Sequence, residues 1–408
     1  MTRHEPQHGT PPPSRGVRAH PHLAPAALEG WLDVPGSEVA ALIAATDWSA
    51  SPLGDPLGWP PSLRTAAGIC LSSPFPILLW WGPDLAMVYN DAYRPMLGAS
   101  KHPRALGAPG REVWTEIWDV IGPMLEQVMS GRGATWSTDQ LLVLERNDHP
   151  EECYFTFSYS PITTESGEVG GVYCAVTETT ERVIGERRLA TLADMASLMG
   201  AATRADAIRS ARSILGANPH DHPAVVVLDA PADGDRAGLA EAIEQQLPRF
   251  GAATRARVTD LVRQVSATGE PLNVEGDAGA LAAGVRRWHA YALAEPRGQR
   301  AGRDAAVVVL GESVHRKWDA ALESYATLCV THVAAATALA EREQHLRRAI
   351  DSHEEIGQAV GILVERHRWT PATAFEHLKR SSQDTNTKLR EVARQVIESG
   401  AEPGRSPS

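Results

Sequence analysis

No stretch of eighteen consecutive apolar residues occurs in the chain, so no membrane-spanning helix is expected. Residues 1–16 lack the apolar core of a signal peptide, and a cytoplasmic location is expected. Cysteine is scarce. Cys70, Cys153, Cys174 and Cys329 lie far apart, which gives neither metal-ligand spacing nor a disulfide framework, so buried free thiols are expected. The phosphate-cradling G-x-x-x-x-G-K-[S/T] loop is absent, and no Ser-His-Asp or Cys-His constellation has local support. Both absences argue against an enzyme. Positive charge is also short: Lys and Arg total 39 against 50 Asp and Glu, a net charge of −11. That excludes a general nucleic-acid coater, whose affinity rests on many phosphate contacts, but not a local reader with charge on one face of one module.

The 408 residues suffice for about three modules, and the 43% hydrophobic content is that of an ordinary globular protein. Residues 1–36 are rich in Pro, His and Gly and read as a disordered tail. His4, His8, His20 and His22 fall there, where no scaffold fixes metal geometry, so a solvated tail is favoured.

Residues 37–182 read as an α+β module. A helix is expected over Glu38 to Ala45. PILLWWG and LAMVYN (Pro76 to Gly82 and Leu85 to Asn90) read as two strands about a Gly-Pro-Asp turn. A short helix in DAYRPMLG and a longer amphipathic one in EVWTEIWDVIGPMLEQVMSG follow. Three strands come next, in ATWSTDQLLVLE, ECYFTFSYSPITT and GGVYCAVTETT, the last two joined by a turn at Glu165-Ser166-Gly167. Two strands, helices and three strands, with WWGPDLAMVYNDAYRPMLG at the start and FTFSYSPI and GVYCAVTETTER at the end, resemble a PAS domain. The resemblance implies a sensor for a small-molecule ligand, light or redox state, or a pairing module. The flavin-type light sensor is rejected, because Asn90 to Arg111 holds no cysteine. For haem, His102 is the one candidate axial ligand, and a surface or capping role is favoured. Trp80, Trp81, Trp114, Trp118 and Trp136 read as core before pocket. The cofactor stays unknown, and no metal is expected.

Residues 183–315 read as a second α+β module. Gly185 to Leu215 is amphipathic and helical, a signalling helix leading out of the first module. Ala224 to Ala230 is a strand buried on both faces by its β-branched run. Helices near Leu239 to Leu247 and Arg255 to Thr268, then strands at Trp288 to Glu295 and Asp304 to Glu312, complete a pattern that resembles a degenerate GAF domain. His220 and His222 precede the first of these strands, and a polar loop is favoured over a metal site.

Residues 316–352 read as a signalling helix and coiled coil. No Pro or Gly intervenes between Glu312 and Gly357. Leu339, Leu346, His353 and Val360 sit seven apart, and Ile350, Gly357 and Val364 fill the alternate positions, with Glu343 a blemish. A parallel homodimer is expected from this seam, against the plainer reading of a helix lying on its own domain.

Residues 353–400 read as three helices, ahead of a disordered tail at 401–408. The first has Ile356, Val360 and Leu363 on one face and breaks at Arg366 to Trp369. Thr370 caps the second, with Pro371 at its first position and Phe375 and Leu378 on its apolar side. Asp384 or Thr385 is expected to cap the third, whose stripe is Leu389, Val392, Ala393, Val396 and Ile397, with Gly400 as its stop. The text IGQAVGIL, Ala374-Phe375 with Leu378, and SQ-x-TN-x-KLR-x-VA resembles the ANTAR domain, a three-helix RNA-binding module of bacterial antiterminators. Many members carry lysine where this chain has Val360. The chain is thus expected to be α+β sensor modules (PAS, GAF-like) followed by an all-α coiled-coil and three-helix ANTAR module.

The resemblance implies paired stem-loops in nascent transcripts as partner, met by Gln383, Thr385, Asn386, Lys388 and Arg390, which match the family pattern. Arg394 lies on the same outer flank of the third helix as Arg390. Gln358, in the IGQAVGIL run, is added. For each charge the plainer reading is a solvated helix face, and for Asn386 a residue ordering the turn near the buried side. A receiver module, frequent among ANTAR proteins, is absent, which argues against phosphotransfer control. The rival class is a signalling scaffold whose C-terminal helices bind a protein.

Overall fold

The computed structural model describes residues 30–146, 149–230, 235–293, 305–316 and 318–399. The chain forms two compact units, Met1–Glu186 and Arg187–Ser408. Among the described residues no helix is long and apolar enough to cross a membrane.

The first unit contains α1 (Glu38–Ala45), α2 (Pro61–Ser72), β1 (Ile77–Trp81), β2 (Ala86–Tyr89), α3 (Arg94–Lys101), α4 (Gly110–Val113), α5 (Trp118–Met129), β3 (Thr135–Arg146), β4 (His149–Thr163) and β5 (Val169–Glu178). The five strands form one antiparallel sheet in the order β2-β1-β5-β4-β3. β1 is apolar throughout because helices or core cover it, and Ile77, Leu78, Leu79 and Trp80 are all buried. Opposite Trp81, β5 carries Gly171, where a Cβ would come within 2.5 Å of the Trp80 carbonyl oxygen, so only glycine lets the strands close. Asn90 ends β2 with no exposed surface. Its Oδ1 accepts from the N–H groups of Ile77 and Tyr93, both at 3.1 Å, and its Nδ2 donates to the carbonyls of Cys70, Ser73 and Phe75. A buried amide so fully satisfied fixes where helix, strand and turn meet.

The expected strands and the helix at Glu38–Ala45 are present. Two expectations change. The amphipathic stretch before β3 is not one helix: it breaks around Trp114, whose φ of −112° and ψ of 40° leave the helical region. A helix at Pro61–Ser72, absent from the expectation, packs Leu63, Ala67 and Cys70 into the core.

α6 (Thr180–Ala196) contains the division between the units. In the first unit Arg182 binds Asp139, and Arg146 donates to both carboxylate oxygens of Glu178. The second unit continues with α7 (Arg204–Gly216), β6 (Val225–Ala230), α8 (Arg236–Gln246), α9 (Ala252–Thr268), β7 (Leu272–Glu275), α10 (Ala278–Ala282), β8 (Val285–Ala292) and β9 (Ala305–Ser313). The expected single helix over Gly185 to Leu215 is interrupted, and Thr203 restarts it as N-cap by accepting from the Asp206 N–H. β7 and α10 were not expected; β7 is only four residues long and half exposed, so it carries little apolar signal.

The second sheet is antiparallel, in the order β6-β9-β8-β7. In chain order that is the first sheet without its outer strand. Val226 and Leu228 face α8 and α9, whereas Val225 and Val227 face α7 and α11. Helices on both faces are why β6 has no polar alternation. His222, expected in a polar loop, is instead buried, stacked on Tyr325 at 5.5 Å, and neither ring nitrogen has a partner among the described residues. Burial pushes its pKa down to about 4. Its neighbour Asp221 has no exposed surface and binds Arg187 and Arg188, both at 3.2 Å. Burial alone would raise this carboxyl. The guanidinium of Arg187, then that of Arg188, outweighs burial and holds it at about 2.

These two groups predict an acid limb. A neutral His222 binds its proton more readily unfolded, so its contribution is full above about pH 6.5 and falls away towards pH 4. Asp221 contributes above about pH 4, and that contribution is lost as pH falls through 2. Urea melts of the full chain, followed by exchange at α7 and β6 amides, should show the second unit weakening from pH 6.5 downward. His222→Phe should flatten the upper part of that limb.

Candidate nucleic-acid interface

α11 (Ala320–His367) runs 48 residues without a break, which at 1.5 Å per residue is about 72 Å. Asp319 caps it by accepting from the Leu322 N–H at 2.8 Å. Its first half packs on the second sheet through Leu322, Tyr325, Cys329 and Val333. Its last turns join α12 (Pro371–Asp384) and α13 (Leu389–Ser399) around a small core: Ala359, Leu363, Ala374, Leu378, Val392, Ala393 and Val396. No residue of α11 between Ala340 and Ala359 is buried. Leu346 and Ile350 stand there, each 64% exposed, in line with Leu339 and Gly357. The seven-residue seam does not stay on one free face: Val360 and Val364 are drawn into the module's own packing.

α11 ends with Arg368 in the left-handed region at φ 56°. Thr370 caps α12 by accepting from the Thr373 N–H, with Pro371 next, as expected. Phe375 does not lie on the packed side; it is 39% exposed, and Ala374 and Leu378 alone of α12 are buried. Neither Asp384 nor Thr385 caps the third helix. α12 continues to Asp384, and Thr385 closes it, its hydroxyl donating back to the Ser381 carbonyl at 2.7 Å. Gly400 lies outside the described residues.

Asn386, expected near the buried side, is exposed and sits at φ 51°, in the turn between α12 and α13. Asn tolerates this conformation better than other residues with a Cβ. Asn386→Gly should therefore leave the melting of the C-terminal helices unchanged, and Asn386→Ala should lower it by about 1 kcal/mol. Amide exchange of α12 and α13 checks this.

The basic residues divide by partner. Glu355, on α11, accepts from Arg390 Nε at 2.7 Å and Nη2 at 3.1 Å, and from Arg394 at 3.5 Å. The bond from Arg390, with its charge and that of Arg394, holds the Glu355 carboxyl below its usual range. This side-on fork ties α13 to α11 and leaves Arg390 Nη1 without a partner among the described residues. Gln383 and Lys388 are exposed, and among the described residues no ion pair involves Lys388. Gln358 lies one turn beyond Glu355, bonded weakly to Glu354 at 3.4 Å, in a shallow hollow with Gly361, Ile362, Glu365 and Arg366. Thr385 and Asn386 thus build the turn, Arg390 and Arg394 straddle Glu355, and Gln383, Lys388 and Gln358 face solvent. Arg366 and Arg380 were not among the expected contacts, yet both are exposed without an ion pair among the described residues.

A model of the ANTAR domain matches residues 344–397, and a model of the PAS fold matches residues 72–184. Residues 344–397 are an ANTAR domain. The curated proteins include no match to the chain. Among solved structures, an RNA-binding light-oxygen-voltage receptor is 23% identical, covering 44% of this chain and 49% of its own, with a TM-score of 0.15. The phytochrome photosensory core of Stigmatella aurantiaca is 10% identical over 76% of this chain and 67% of its own, at a TM-score of 0.30. A sensory box sensor histidine kinase from Vibrio cholerae is 17% identical over 26% and 81%, at 0.21. Scores this low bear on neither fold nor function. The ANTAR domain combines the last turns of α11 with α12 and α13, and follows the PAS fold and a second α+β module in the chain. In the PAS fold His102 is bonded through Nδ1 to the Tyr89 hydroxyl at 2.9 Å, and Trp136, expected as core, is 66% exposed.

Proposed function

We propose that the chain is a non-enzymatic, cytoplasmic regulator of transcription antitermination that binds hairpins in nascent RNA through its ANTAR domain. The match of residues 344–397 to that domain carries the reading. The side chains in the notional contact are Gln383, Lys388, Arg390, Arg394 and Gln358, with Thr385 and Asn386 shaping the turn between them. Lys388 precedes the start of α13, where the first turn leaves N–H groups without helical partners, a setting that favours phosphate. Arg390, oriented by Glu355, keeps Nη1 for a base edge or phosphate. Near-balanced charge on the module implies modest affinity, with specificity coming from unpaired loop bases.

Working boundaries are 37–182 for the PAS module, 183–315 for the GAF-like one, 316–352 for the connecting helix and 353–400 for the RNA module. The exposed seam at Leu339, Leu346, Ile350 and Gly357 supports a parallel homodimer that sets two RNA modules side by side. A signal at a sensor module shifts helix packing near 316–350 and so the population with both modules paired. Two hairpins held together then gain avidity without new contacts.

The second reading is a scaffold whose C-terminal helices bind a protein, favoured by the 64% exposure of Leu346 and Ile350. Sequencing RNA crosslinked to the protein in cells separates the two. Recovery of paired stem-loops upstream of terminators supports the regulator, and recovery of no enriched RNA supports the scaffold. Salt dependence tests Lys388: in Lys388→Ala the slope of log K against log salt should fall by about 0.7 if one phosphate contact is lost.

A further inference from the structure

α11 turns into α12 through a corner where one residue is held in a strained conformation. Arg368 sits at φ 56° and ψ 31°, in the left-handed region just past the last turn of α11. Glycine is the usual residue at such a helix end, because a side chain crowds the backbone there. The neighbours fix this conformation from both sides. His367 stacks on Trp369 with ring centres 4.5 Å apart, and Trp369 meets His377 of α12 at 5.0 Å. Trp369 also packs against the module's core, and Thr370 caps α12. None of these contacts uses the Arg368 side chain, so glycine at this position would keep them all.

That side chain does little for the fold. It is 83% exposed. Its one ion pair among the described residues is to Glu365 at 4.0 Å, and the Glu365 side chain is itself 80% exposed, so water screens the pair. Positive charge at the end of α11 suits the helix dipole, but Arg366 and His367 already supply it in the last turn. A strained residue that no packing contact explains points to a functional role.

Arg366 adds a second exposed charge close by, without an ion pair among the described residues. From Glu355 to Arg366 is three helical turns at about 100° per residue, so both lie on the same side of α11, roughly 16 Å apart along its axis. A shallow hollow lined by Gln358, Gly361, Ile362, Glu365 and Arg366 fills that span. α11 thus offers one continuous face from Glu355, where Arg390 is held, to the corner at Arg368.

We propose that Arg366 and Arg368 hold backbone phosphates of the hairpin stem, while Lys388 and Arg390 meet its loop. A guanidinium forks onto phosphate oxygens, and such contacts position the RNA without reading its sequence. The proposal rests on the RNA reading and extends the contact to a corner which that reading leaves out.

Arg368→Gly removes charge and strain together, so a structural role and an RNA role predict different results. Glycine's greater freedom when unfolded offsets part of the relief. In the full-length variant the α12 and α13 amides should therefore exchange no faster than in the parent. Binding of a two-hairpin leader RNA should weaken about three- to tenfold, and the slope of log K against log salt should fall by about 0.9, the share of one duplex phosphate. Arg368→Lys keeps the charge and should keep the parent's slope. On a hairpin with its stem cut short, the parent should bind no better than Arg368→Gly. Unchanged RNA affinity in Arg368→Gly, faster amide exchange in that variant, or the same loss on the short-stemmed RNA would overturn the proposal. A parent that binds no hairpin at low salt defeats the RNA reading and this proposal with it. A parent that binds, and is weakened by Lys388→Ala but not by Arg368→Gly, defeats this proposal alone.

Discussion

Leu378→Asp is expected to unfold the ANTAR domain and so abolish the proposed hairpin binding, while both sheets melt as in the parent. Leu378 has no exposed surface and lies at the centre of a core of only seven buried residues. At 0.05–0.15 kcal/mol per residue, a module of 54 residues has roughly 3–8 kcal/mol of stability. Losing the leucine side chain costs about 2–5 kcal/mol, and placing a carboxylate in its stead adds desolvation. The sum is comparable to all the stability the module holds. Exchange of α12 and α13 amides should become global-free and fast, with β6 and β9 amides unchanged. Phe375→Asp is the control: at 39% exposure it should leave the module folded.

Asp221→Ala should have the next largest effect, about 3–5 kcal/mol on the second unit, because it removes the fully buried carboxylate that Arg187 and Arg188 share. The loss extends beyond the ion pair. Asn218 donates to Asp221 at 3.0 Å and to the Tyr325 hydroxyl at 3.3 Å, so the same cluster joins α6 to the first turns of α11. Asp221→Asn keeps the shape and removes the charge, and should fall between parent and Asp221→Ala. Denaturant melts with exchange read at α7 separate these outcomes. An Asp221→Ala protein as stable as the parent would mean that the arginines are satisfied elsewhere.

What the sequence made legible follows from periodicity. The β-branched run at Val225 to Leu228, the stripe from Leu389 to Ile397 and the unbroken stretch leading to Gly357 each repeat one spacing, and all are present as elements. The interruptions at Trp114 and at Ala201 to Thr203 were not legible, because apolar spacing continues across both while the backbone turns. Phe375 fits the apolar pattern of α12 yet faces outward, since Ala374 and Leu378 already fill the small core. At the candidate interface the residue types were readable but their partners were not. Glu355 and Arg390 are 35 positions apart, and no spacing rule joins them.

We propose that the ANTAR domain of this chain grips RNA hairpins with the face that carries Lys388 and Arg390. The most direct measurement is titration of a two-hairpin leader RNA with the full-length protein, its Lys388→Ala and Arg390→Lys variants, at low and moderate salt. The expected result is saturable binding by the parent, about three- to tenfold weaker binding by Lys388→Ala, and weakened binding by Arg390→Lys, because lysine cannot fork onto Glu355 and still reach outward. Equal binding by all three proteins, or none by the parent at low salt, would contradict it.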